Sequence, residues 1–462
     1  MKPTRRELIV GTAAVGVIGC RGSLEGSDSG ATAELEPAPV RAPEPAPWSP
    51  TASVDLDAFG TGVAAGDVDA STALVHLRSD ETGLSFVLVR GVDDTWEEVD
   101  RRADLDPDDG LFAISLTGLE PDTVYSYVFE TADGRRSQVG RFRTALAPDG
   151  QRQVVFGATS CLGSGDPTFA ALGPAAEQGL DFMLLTGDAI YADGSKSLET
   201  YRELWRTATS TDTFRALLAS TSVWATWDDH EVDNNWRLGE SDDALQKTVT
   251  EEQLAAATLS YTEALPQHPG PNGGMWRQFT WGTVLDVFML DCRGERNYDD
   301  EIISPEQLDW VTSGLRQSTA TFKIVISSVH FTDHMAWMDI VEQEDRWQGY
   351  PEQRTALLEA IEAAGNTLMI SGDQHYGVVQ HPGRAGDLGD DQWEVAAGPG
   401  GSAVFAAKAL MEFAEADMSQ YPVMVEEYSC CRFTADPGTL TIRVEFIGSA
   451  GQLLADHTID FS

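Results

Sequence analysis

Residues 226–236 read Thr-Trp-Asp-Asp-His-Glu-Val-Asp-Asn-Asn-Trp. Three aspartates, a glutamate, a histidine and two asparagines stand between Trp227 and Trp236. Oxygen donors and an imidazole this close together suit a hard cation and the oxygens of a phosphoryl group. A merely solvated polar loop has little use for the two tryptophans. Comparable clusters recur after four other apolar runs, at residues 154–161, 182–193, 284–293 and 367–375, which end in Cys161, in Asp188 with Tyr191, in Asp291 with Arg293, and in Asp373 with His375. Continuous apolar runs of this length predict strands buried on both faces. Their polar ends predict ligands delivered to one rim of a sheet, the carboxyl-end geometry of α/β proteins.

Six motifs follow one another in order. They are Ser160-Cys161, Gly187-Asp188-x-Ile190-Tyr191, Trp227-Asp228-Asp229-His230-Glu231-x-x-Asn234, Leu290-Asp291-Cys292-Arg293, Asp345-x-Trp347-x-Gly349-Tyr350 and Gly372-Asp373-x-His375. Together they resemble the PhoD-like alkaline phosphatases, a branch of the metallophosphoesterases. The likeness runs over residues 154–375, about half the chain. It implies metal-dependent hydrolysis of phosphate esters, a phosphomonoesterase activity carried by metal-activated hydroxide. It implies ferric iron held by Cys161, Asp188 and Tyr191, with Asp188 able to bridge to a second ion. Resemblance and ligand hardness together put calcium at Asp229, Asn234 and Asp345, and Asp373 and His375 complete the cluster. Two departures stand out. Leu162 follows the cysteine where family members often carry glutamine, and His330 lies in a segment where the family gives no reason to expect one.

Asp228 and Asp229 are adjacent and are expected to point opposite ways, one to a metal and the other to orient His230; Asp229 is favoured as the ligand. His230 is then the candidate to contact phosphate and protonate the leaving oxygen. Arg293 is read either as a bidentate phosphate clamp or as an ion-pair partner of Asp291 or Glu295. A nucleophilic Cys161 is the weaker reading beside a metal thiolate, and Gly-x-Ser-x-Gly is absent. Two alternatives stand beside the phosphomonoesterase: a phosphodiesterase or phospholipase-D-like hydrolase, and a metal-binding lipoprotein without turnover. The nearly complete ligand set argues against the last.

The elements that must hold these residues fall into blocks. Residues 53–147 carry short runs of β-forming residues separated by Gly, Asp and Pro clusters, which predicts a small all-β domain of Ig or fibronectin type. Tyr125 stands where a tyrosine corner would. From residue 151 to 462 strands alternate with helical patterns, with starts at Thr200, Thr250 and Ser304-Pro305 and a further helix over 353–364. Periodicity gives α/β; the resemblance specifies an αββα sandwich of metallophosphoesterase type, closed on one sheet by a β-rich tail.

Residues 1–20 look like a twin-arginine signal ending at a lipoprotein cysteine, with Arg5-Arg6, a short apolar stretch and Cys20. Residues 21–52 are rich in Pro, Ala, Glu and Ser and read as a disordered linker. Export to the periplasm or cell surface is expected, with the membrane reached only through the lipid anchor. The excess of 74 acidic over 31 basic residues, net charge −43, argues against nucleic acid as a partner and requires that a phosphate site be made locally positive by metal cations. Five cysteines do not make a disulfide scaffold in a chain of 462 residues; Cys292 reads as a small buried residue, and Cys430 and Cys431 have no assigned role.

Overall fold

The computed structural model describes residues 35–163, 165–239, 247–297, 300–333, 343–413 and 416–462. The expected signal at 1–20 and the first part of the 21–52 linker lie outside the described residues. Two sheets face each other. The first has nine strands. Val154–Thr159, Phe182–Thr186 and Ser222–Thr226 run parallel at its centre, flanked by the tail strands Ser429–Asp436, Thr441–Gly448 and Leu453–Asp460 on one side. The second has seven, with Leu285–Met289, Phe322–Ile326, Thr367–Ser371 and Trp393–Ala396 in parallel at its heart.

Period-two alternation explains the layering. Phe156, Ala158, Phe182 and Leu184 meet Val287, Met289, Ile324, Ile326, Leu368 and Ile370 between the sheets. Their neighbours Met183 and Leu185 face the helices Leu198–Thr209, Asp212–Ser220 and Glu251–Ala264. Phe288, Val325 and Met369 face Pro305–Gln317 and Pro351–Ala364. The outcome is the αββα sandwich. Ser197, Thr250 and Ser304 cap their helices by accepting from the N–H three residues on. The first of these helices starts at Leu198, two residues before the start read from the sequence.

The β-rich segment supplies a six-stranded sheet of its own, and the Tyr125 hydroxyl accepts from the Glu120 N–H at 2.8 Å, a tyrosine-corner contact. Its other three strands, Val63–Gly66, Thr72–Arg78 and Leu111–Thr117, do not stop at a domain boundary. Val63–Gly66 pairs in parallel with Ser222–Thr226 and extends the nine-stranded sheet.

Residues 36–52, expected as part of a disordered linker, are instead strapped to the body. Ala38 N–H donates to Asp436 Oδ1 at 2.9 Å and Gln153 N–H donates to the Pro39 carbonyl at 2.8 Å. Glu44 is paired with Arg141 and Arg143, the Ala46 carbonyl accepts from Trp96 Nε1, and Trp48 packs on Val87, Val89 and Val128. Prolines at 37, 39, 43, 45, 47 and 50 pre-extend the chain, so little entropy is lost on docking.

Arg152 ties the β-rich segment to the nine-stranded sheet. It meets the fully buried Asp181 through two bonds of 2.9 Å and reaches Asp122 at 2.8 Å. Arg152→Met would leave the buried Asp181 carboxylate with the Val155 N–H at 2.9 Å and with Arg143 and Arg41 only at 3.7 and 3.8 Å. An equilibrium denaturation series should show a loss of about 1.5–3 kcal/mol, the worth of hydrogen bonds to a charged group.

Cys430 and Cys431 point to opposite faces of their strand. Cys430 packs under the helices and Cys431 between the sheets, so neither is a ligand or a disulfide partner. Cys292 is buried beside Ser327 Oγ at 3.3 Å. No helix among the described residues is long and apolar enough to cross a membrane.

Candidate metal centre

The site lies where the carboxyl ends of the two sheets meet. Cys161, Asp188 and Asp373 each stand two residues past a strand and adopt left-handed backbones, with φ of 54°, 58° and 62°. Such conformations are uncommon outside glycine and cluster at functional sites. The rims touch because glycines let them. A Cβ on Gly187 (φ 103°) would stand 3.3 Å from the Cβ of Ser328 at the facing rim and 2.7 Å from that of Asp228 on its own, and one on Gly372 would stand 2.5 Å from the Thr186 carbonyl of the facing rim.

Ligand atoms of Cys161, Asp188 and His375 lie within 4.8 Å of one another. The Tyr191 hydroxyl joins them, 3.4 Å from Asp188 Oδ2 and 3.3 Å from His375 Nε2. His375 Nδ1 lies 3.0 Å from the Ala403 carbonyl. A carbonyl only accepts, so the proton is on Nδ1 and Nε2 presents its lone pair to the cluster. Burial holds this imidazole below its ordinary pKa and keeps it neutral. Asp188 Oδ1 is buried and has no hydrogen-bond partner. Burial, then repulsion from Asp228 and Asp229, pushes the Asp188 carboxyl well above its usual range. Burial, then Asp345, does the same to Asp373, and burial, then Asp188, raises the Cys161 thiol. Thiolate, phenolate, carboxylate and imidazole converging on one point, with an orphaned carboxylate oxygen, fit a cation.

Asp188 also belongs to a second group with Asp229 and His230. His230 stacks on the Tyr191 ring, with ring centres 3.8 Å apart. Its Nδ1 lies 2.9 Å from Asp193 Oδ1. The carboxylate that orients His230 is therefore Asp193, from the loop after Tyr191, and not Asp228 as expected. Asp228 is engaged by Arg293, whose Nε and second guanidinium nitrogen donate to its two oxygens at 2.6 and 3.0 Å. Arg293 also reaches Asp345 Oδ1 at 2.5 Å and stands 3.6 Å from Asp229 Oδ1. Its ion-pair partners are thus Asp228 and Asp345, not Asp291 or Glu295, and a phosphate clamp would have to draw it out of a buried pair. Asp291 instead fixes the loop by accepting from the N–H groups of Arg293 and Gly294 and from Trp227 Nε1. Asn234 gives its backbone N–H to Asp193 Oδ1 at 2.7 Å. His330 is buried with Nδ1 3.7 Å from Asp373 Oδ2.

A family model described as PhoD-like phosphatase matches residues 156–445. The chain belongs to the PhoD-like phosphatase family. Alkaline phosphatase D of Bacillus subtilis (strain 168) is 26% identical over 309 residues, 57% of this chain and 52% of that protein. The chain thus spans about half the length of this curated relative. A solved structure of PhoD superposes with a TM-score of 0.72 over 90% of both chains at 20% identity. The purple acid phosphatase PPD1 from yellow lupin (Lupinus luteus) seeds does so with 0.60 over 86% of this chain and 73% of its own at 14% identity. These likenesses show the shared metallophosphoesterase-type fold.

In this PhoD-like phosphatase three supporting groups escaped the sequence reading. Asp193 is one. Ser402 is another: its Oγ lies 2.7 Å from the Tyr191 hydroxyl and accepts from the Gly163 N–H at 3.1 Å. Gly163 is needed there, because a Cβ would run into the Tyr191 ring at 2.1 Å. The third is Glu231, visible inside the tryptophan-flanked motif but assigned no role. Its buried carboxylate accepts from the N–H groups of Asp188, Ala189 and Asp228 at 3.2, 2.6 and 2.8 Å. It thereby locks the two ligand loops together, while burial still pushes it to about 7. Leu162, the departure from the family pattern, is buried among the helices and gives its N–H to the Asp188 carbonyl. Glu231→Gln turns an acceptor into a donor facing N–H groups. Metal content or turnover should fall roughly 10–100-fold with circular dichroism unchanged.

Proposed function

We propose that this chain hydrolyses phosphate esters in a metal-dependent reaction. The observation that carries the reading is Asp188, which is shared between the Cys161–His375 group and the Asp229–His230 group. Bound there, a pair of cations supplies charge neutralisation of phosphoryl oxygens and activation of water at neutral pH. Cys161, Asp188, Tyr191 and His375 would hold the first. We assign ferric iron to it, since thiolate and phenolate suit a trivalent ion. The second would lie on the Asp229 side of Asp188, where the hard carboxylates suit calcium. The chain's own residues do the rest. Glu231 fixes the two loops. Asp193 accepts a hydrogen bond from His230 Nδ1, so Nε2 is the nitrogen left to meet a phosphoryl or leaving oxygen.

The test is elemental analysis of the purified protein together with turnover of nitrophenyl phosphate and bis(nitrophenyl) phosphate on one sample. Iron with monoester turnover supports the reading. Turnover of the diester alone makes the enzyme a phosphodiesterase, and metal without either turnover leaves a binding protein. Export is proposed from Arg5-Arg6 and Cys20. Replacing both arginines by lysine should retain the protein in the cytoplasm, and Cys20→Ser should free it from membranes. Unchanged fractionation of both variants would refute this.

A further inference from the structure

We infer that Arg293 stands where an ion would otherwise sit, as the permanent counter-charge of Asp228, Asp229 and Asp345, and that Asp345 is therefore not a metal ligand in this chain. Three carboxylates converging on one point is a donor set for a hard cation, and calcium was expected at Asp229, Asn234 and Asp345. The point is held by a guanidinium. Its contacts are two bonds to Asp228, one to Asp345 Oδ1 at 2.5 Å and an approach of 3.6 Å to Asp229 Oδ1. The side chain is 1% exposed. A planar fork suits bidentate carboxylates better than a lysine would. A second cation, Arg296, lies 3.4 Å from the same Asp345 oxygen. Neither group of convergent donors among the described residues includes Asp345. The backbone that delivers Arg293 is itself pinned, its N–H given to Asp291 Oδ1 at 3.1 Å. The arrangement therefore belongs to the loop's built form.

The inference rests on the metal-centre reading and is tested apart from activity. The full chain is equilibrated with calcium, dialysed, and its bound metals counted per chain. Asp345→Asn should hold as many ions as the parent. Arg293→Ala should bind one calcium more than the parent, because it vacates a site lined by three acids. Arg293→Lys keeps the charge and should match the parent. Loss of one ion in Asp345→Asn, or no extra calcium in a folded Arg293→Ala, overturns the inference. If Arg293→Ala does not fold, the Asp345→Asn count decides. A parent without metal would sink the proposed function instead, and the Arg293→Ala count would still read this one.

Discussion

Asp188→Asn should lose its metal and at least about three orders of magnitude in turnover while melting no lower than the metal-free parent. The side chain is near-isosteric, and its left-handed backbone, φ 58°, is one that asparagine tolerates as well as aspartate. The fold therefore has no reason to fail. What disappears is a negative charge in both donor groups. Metal-ion stabilisation of phosphoryl charge is worth several kcal/mol, and each 1.36 kcal/mol is tenfold in rate. Stability moves the other way. The carboxylate is buried, carries an oxygen with no partner, and is repelled by Asp228 and Asp229. In the empty site burial and these repulsions oppose ionisation of the carboxyl, and a neutral amide is spared that cost. Calorimetry in chelator, metal analysis and turnover on one preparation check all three statements. A fully active variant, or a large drop in melting temperature, would remove Asp188 from the centre.

His230→Ala should keep the iron and slow turnover by about 10²–10⁴-fold, the usual worth of a positioned proton transfer. The imidazole is fixed by Asp193 on one nitrogen and by the Tyr191 ring on its face, so its role depends on placement. Esters of weakly acidic alcohols need their leaving oxygen protonated, and these should suffer most. Nitrophenyl esters leave as anions and should suffer least. Equal losses on both would make His230 a phosphate-positioning group. Loss of the second ion would make it a ligand, which its place in the Asp188–Asp229 group permits.

The strand ends were legible because two signals coincide in them. An apolar run announces a strand buried on both faces, and the acid, thiol or imidazole that follows has no reason to sit there except at a rim. That is how Cys161, Asp188 and His375 could be placed at a rim from residue order, while the family resemblance supplied the roles of Cys161 and Asp188 as ligands. Partners brought together by folding were not legible. Asp193 and His230 are 37 positions apart, and nothing in either segment names the other. The Ala403 carbonyl that sets the tautomer of His375 is backbone, and so leaves no mark in residue type. Arg293 was visible as a cation near a strand end, but which acids it meets depends on how the Asp345 segment crosses the rim. The proline-rich strap was misread because the same composition describes a tether in water and a segment laid along a surface. The extension of the central sheet by Val63–Gly66 was missed because alternation tells which face a strand buries, not which strand it pairs with.

That extension sets the order in which the molecule can be completed. Val63–Gly66 is made early, yet the strand it must lie beside, Ser222–Thr226, comes much later, and Val154–Thr159 waits for Ser429–Asp436 near the very end of the chain. Until then, both carry unpaired edges of the kind that recruit other strands. Closing such distant pairings is slow. The nascent chain therefore carries open strand edges until residues 429–448 are made, and deleting those strands should harm yield far more than the few residues removed would suggest.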